Sequence, residues 1–133
     1  MNFSITSEER NSYLYMEVKG VVSDGEELAA HSKILYDKIG KLNHTKIIIV
    51  QSELLLPFDI VSYFDLVKDY INSYPPEIYH LKIVAIFSEE NKLVGDTWET
   101  LCQSRGLKFY SFTSIEEGLD CLLMEDEDEL SDI

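Results

Sequence analysis

Hydrophobic and polar positions along this chain change period several times, and each change marks an element. Phe3 and Ile5, then Tyr13, Tyr15 and Glu17, follow the two-residue alternation of strands. The polar stretch Glu8-Glu9-Arg10-Asn11-Ser12 between them predicts a hairpin turn, with the second strand over 13–19 ending at Gly20. Ser23-Asp24-Gly25-Glu26-Glu27 then carries two overlapping capping boxes, Ser23 with Glu26 or Asp24 with Glu27. Behind them Leu28, Ile34, Leu35 and Ile39 recur at helical spacing, and the helix is expected to stop near Gly40. Asn43-His44 turns the chain into a third strand over 45–51, whose Ile47-Ile48-Ile49-Val50 is apolar without a break. A run of that kind is buried on both faces, as in the middle of a parallel sheet.

A second helix is expected over 59–72, with Ile60, Val61, Phe64, Val67 and Ile71 as its apolar stripe and Tyr74-Pro75-Pro76 as its stop. The fourth strand runs over 81–87. The third helix spans 91–104, with Leu93, Val94, Thr97, Trp98, Leu101 and Cys102 on one side and Gly106 at its end. A short fifth strand over 108–112 leads to Ser114-Ile115-Glu116-Glu117, another capping box, and Leu119, Leu122 and Leu123 give the last helix a buried face. The order is β-β-α-β-α-β-α-β-α: an α/β fold with a mostly parallel five-stranded sheet, an N-terminal hairpin and four helices.

Composition sharpens this picture in two places. The chain has 133 residues, room for a single core. Its net charge is −14, and six of the acids (Glu125, Asp126, Glu127, Asp128, Glu129 and Asp132) fall in the last nine positions. We therefore divide the chain into a domain over 1–124 and an acidic, disordered tail over 125–133. Removing those six charges from −14 leaves −8, so the domain is acidic too, which argues against nucleic-acid binding and charge-driven docking on anionic membranes. No apolar run reaches the ~18 residues of a membrane span, and the chain starts without a signal-peptide pattern. A cytoplasmic location is expected.

Candidate chemistry is thin. Cys102 and Cys121 fall on the apolar faces of different helices and read as buried free thiols. His31, His44 and His80 lie in different elements with no metal-ligand spacing, and His31 reads as a satisfied histidine at the core boundary. Asp65 and Asp69 read as a solvated helix face. No metal, cofactor or catalytic residue is expected, and the chain reads as a non-enzyme. The least ordinary segment is Leu54-Leu55-Leu56-Pro57-Phe58, running on to Tyr63 and Phe64. A loop at a strand's carboxyl end is usually polar; this one is either folded over the core or a hydrophobic lip for a partner, a second copy or a lipid-like ligand. Trp98 is read as core, or as lining the same cavity.

The order of elements, the stretch Leu81-Lys82-Ile83-Val84-Ala85-Ile86-Phe87-Ser88 and the stretch from Phe109 through Ser111, Ser114 and Glu117 to Leu119 resemble the STAS domain superfamily, in its SpoIIAA-like (STAS/Sec14-type) bacterial branch. The resemblance covers about 3–123. It implies a module of regulatory role that binds a protein or forms a homodimer, with a carrier or sensor of an apolar, lipid-like small molecule as the alternative. In anti-sigma-factor antagonists of this superfamily a phosphorylatable serine, in Asp-Ser-Ser-Gly, precedes the second helix. Here the matching segment is Phe58-Asp59-Ile60-Val61, so that switch does not carry over. Asp59 is read as a helix N-cap, or as a fixed charge standing for the phosphate; Ser62 is read as a solvent-facing or backbone-bonded serine, or as a modification site. The binding candidates are thus Leu55, Leu56, Phe58, Asp59, Ser62, Tyr63, Phe64 and Trp98.

Overall fold

A computed structural model of the chain describes residues 2–56 and 76–124. Strands β1 (Phe3–Glu9) and β2 (Leu14–Val21) form the N-terminal hairpin; α1 (Gly25–Leu42), β3 (Lys46–Leu55), β4 (Lys82–Phe87), α2 (Lys92–Gln103), β5 (Lys108–Phe112) and α3 (Ile115–Leu123) follow. One-turn 3₁₀ segments, Pro76–His80 and Glu89–Asn91, precede β4 and α2. The five strands lie in sequence order in one mixed sheet. β1 pairs with β2 antiparallel, while β2–β3, β3–β4 and β4–β5 are parallel. Three α-helices stand among the described residues; the helix expected over 59–72 and the acidic tail lie outside them.

The unbroken apolar run of β3 sorts onto two faces. Ile47 and Ile49 join Leu14, Met16, Val18, Ile83, Ala85 and Phe109 beneath α1 and α2. Ile48 and Val50 face the other way, with Val84 and Ile86, under Leu122 of α3. α3 sits close on that face because residue 118 is glycine: a Cβ there would lie 2.5 Å from Ile86 Cδ1 and 3.0 Å from Val84 Cγ1. Its last turn is fixed by Lys82, a buried lysine that donates to the carbonyls of Cys121 (2.6 Å) and Met124 (3.5 Å). A cation belongs at that end of a helix, where carbonyls lack intrahelical partners.

Of the two boxes read before α1 the Asp24–Glu27 one supplies the cap, and Ser114 caps α3. Asp24 caps α1 by accepting from Glu27 N–H at 2.9 Å, and the Glu27 carboxylate accepts in return from Ser23 N–H at 2.8 Å. Ser114 Oγ accepts from Glu117 N–H at 3.3 Å to start α3. Three boundaries move. The hairpin turn tightens, with Glu9 opposite Leu14 and Arg10 N–H donating to the Tyr13 carbonyl. α1 runs through Gly40 to Leu42, because Asn43, at φ 61°, supplies the left-handed residue that ends it. β3 continues four residues past Gln51, which bears directly on the site.

Candidate functional site

Past an irregularity between Glu17 and Lys19, β2 pairs again with β3, bringing Lys19, Gly20 and Val21 opposite Glu53, Leu54 and Leu55. Val22 N–H then donates to the Leu55 carbonyl at 2.9 Å. Leu54 and Leu55 are therefore strand residues, which corrects the expectation of a loop beginning at Leu54. A strand's alternation decides which of the three leucines meets solvent. Leu54 and Leu56 are buried, at 1% and 8% exposure, and Leu55 is 57% exposed. The strand end is held from the other side by Asn91, whose buried side-chain amide donates to the Leu54 carbonyl at 2.9 Å.

In a parallel arrangement all strand carboxyl ends share one edge of the sheet, and the helices that follow begin there. Four of the exposed large apolar side chains stand at this end of the fold: Val21 ends β2, Leu55 ends β3, Leu93 opens α2 after β4, and Ile115 opens α3 after β5. Ile115 also lines the groove beside Ser52 and Glu53. Exposed glutamates surround them, because the first turns of the helices are acidic: Glu26 on α1, Glu89 and Glu90 before α2, Glu116 and Glu117 on α3, with Glu53 on β3. This end of the fold thus carries exposed apolar side chains on both sides of the sheet, among exposed glutamates.

Directly beneath it lies a cavity of about 50 Å³ between α1, the sheet and α2. Leu56 and Trp98, two of the expected binding residues, line it together, and Trp98 is half-buried. His31 lines it as well, and here the expectation of a satisfied boundary histidine is overturned. His31 is 4% exposed, packs edge-on against Phe3 at 5.5 Å between ring centroids, and neither ring nitrogen has a hydrogen-bond partner among the described residues. Burial alone lowers its pKa from 6.5 to about 4, so the ring is neutral near pH 7.

Other chemistry is weak. The Cys102 thiol is buried and pushed up to about 12 by desolvation, the wrong direction for a nucleophile. Ser111 Oγ lies 3.1 Å from Asp96 Oδ1, but hydrogen bonding from Lys92, at 2.7 Å, holds Asp96 below the usual carboxylate range. A weakened base of that kind does not activate a hydroxyl; the cluster instead ties β5 to α2, with Ser111 N–H donating to Glu99. His44 and His80 line one groove at the opposite end of the sheet, although they stand in different elements, and His44 is engaged by Glu9 at 3.0 Å. Among the described residues no group of three or more His, Cys, Asp or Glu side chains could hold a metal, and no helix is long and apolar enough to cross a membrane.

Of the eight residues singled out from sequence, the structure puts Leu55 on the edge and Leu56 and Trp98 in the cavity, while Phe58, Asp59, Ser62, Tyr63 and Phe64 lie outside the described residues. Sequence reasoning missed Leu93 and Ile115 as edge residues, because both sit on otherwise core-forming stripes. Their positions just behind a strand end and a cap were the available signal.

No family model and no curated protein matches the chain. Solved structures do. An anti-sigma factor antagonist from Mycobacterium paratuberculosis superposes with a TM-score of 0.61 at 9% identity, over 90% of this chain and 93% of that one. An uncharacterised protein with a SpoIIAA-like fold from Shewanella loihica gives 0.54 at 16% identity, over 91% and 94%. At these identities the likeness shows the fold alone, a SpoIIAA-like α/β fold.

Proposed function

We propose that this STAS-like domain is a non-enzymatic regulatory module that acts by protein–protein contact, and that its docking surface is the edge formed by the strand carboxyl ends. The observation carrying this reading is that Val21, Leu55, Leu93 and Ile115 are all exposed at strand carboxyl ends or at the helix starts that follow them, among exposed glutamates. Open α/β sheets meet their ligands outside the strand carboxyl ends. An apolar centre with a charged rim is also the anatomy of a protein interface. The partner surface it suits has an apolar centre and a lysine- or arginine-rich border. Support of a different kind comes from the similar fold of an anti-sigma factor antagonist, a protein named for its action against another protein.

The test is the double substitution Leu55→Ser and Leu93→Ser. Both side chains are more than half exposed, so the fold should be kept, as circular dichroism and the thermal midpoint would show. Partner capture, or self-association measured by sedimentation, should fall at least tenfold. Capture and mass equal to those of the unmodified protein would remove this edge from consideration.

A further inference from the structure

The cavity under the edge holds a feature that packing does not explain. His31 is buried, with both ring nitrogens unpartnered among the described residues. Buried polar groups are almost always hydrogen-bonded, and each one left unmade is costly. A leucine in that position, continuing the Leu28–Leu35–Ile39 stripe of α1, would close the core without that penalty. Among the described residues the cavity wall around the ring is mainly apolar, with Leu56, Phe87 and Val94 opposite α1, and its other polar groups are the buried Ser32 and Gln51 side chains, the Tyr36 phenol and the Trp98 indole N–H.

We propose that this cavity is a binding site for a short uncharged molecule with an apolar body and one hydroxyl group, the hydroxyl bonding to the His31 ring. A neutral imidazole offers one donor and one acceptor, and a hydroxyl can satisfy either. A permanent charge would meet no opposite charge among the described wall residues, which a buried site penalises heavily. Size sets the other limit. The cavity volume of about 50 Å³ is several times the ~10–15 Å³ that holds one water on the same measure, so it takes a hydroxyl and a chain of a few carbons. The site stands apart from the docking reading: its residues face inward, and it can be occupied whether or not the edge meets a protein.

The probe is 1-butanol, with butanoate and butylammonium as charged counterparts of equal length. Titration at pH 7.5 is followed by NMR of the ¹⁵N-labelled His31 ring and the Trp98 indole. Saturable shifts at both groups are expected with 1-butanol, and none with the two ions. His31→Leu should weaken 1-butanol binding about fivefold, the equivalent of one neutral hydrogen bond. His31→Asn, which keeps a donor and an acceptor, should retain more of the affinity than His31→Leu and covers the case in which the leucine variant does not fold. Absence of saturable shifts, as in a cavity that takes water alone, overturns the proposal. So does equal binding by the alcohol and its charged counterparts, or by the unmodified protein and both variants.

Discussion

A neutral histidine sealed into the core should make this domain acid-sensitive in a defined window. In the unfolded chain His31 takes up a proton near pH 6.5, and in the folded protein only near pH 4. Between those values the unfolded state binds more protons, so stability rises with pH across the window and is lost as pH falls through it. The full difference corresponds to ~3 kcal/mol below pH 4, and about 2 kcal/mol is already lost at pH 5, while almost nothing is lost at pH 7.5. Against a total stability of ~5–15 kcal/mol this is a large share. Carboxylates titrate in the same range, so the contribution of His31 must be isolated by comparison. Urea unfolding of the unmodified protein and of His31→Leu, at pH 7.5 and pH 5, gives four free energies. The unmodified protein should lose about 2 kcal/mol more than the variant between the two pH values. Equal losses would refute the argument, because they would mean that the ring is protonated, or solvated, in the folded state.

Three further outcomes follow from the packing. Gly118→Ala puts a methyl against Ile86 and Val84, and despite the better helix propensity of alanine it should destabilise by ~1–2 kcal/mol in urea unfolding, less so when combined with Ile86→Val. Lys82→Met removes the ammonium from the last carbonyls of α3 and should cost about 1.5–3 kcal/mol, with faster hydrogen exchange in α3 than in α1. Association with the partner of the acidic edge should slow as salt is raised, since exposed charges at a rim act mainly on encounter; stopped-flow rates that ignore ionic strength would count against the acidic rim.

Much of the fold was legible because its signals were local. The four β-branched residues from Ile47 to Val50 announced a strand covered on both faces, and the sheet buries them that way. Asp24 and Ser114 could be read as caps because a capping box lies within four residues. What escaped depended on partners distant in sequence. Gln51-Ser52-Glu53 resembled the end of a strand, yet β2 pairs alongside and carries β3 on to Leu55, with Lys19 bridging Glu17 and Glu53 at 3.0 Å each. The three leucines therefore divide by strand alternation, with only Leu55 outward, a split that neither a loop folded over the core nor a hydrophobic lip anticipates. His31 was misjudged for a similar reason: Phe3, on the hairpin strand β1, covers a position that α1 alone would leave at the boundary. Gly40 looked like a helix stop, but only the left-handed backbone of Asn43 provides one.

Site-specific photo-crosslinking examines the docking edge without disturbing it. A photoreactive side chain at Leu55 is compared with one at Lys41, an exposed residue in the last turn of α1 at the far end of the sheet. Irradiation in native lysate should join a discrete protein, or a second copy of the chain, to the Leu55 position and leave Lys41 unlinked. Adducts at Lys41 but not at Leu55 would contradict a docking surface at the strand carboxyl ends.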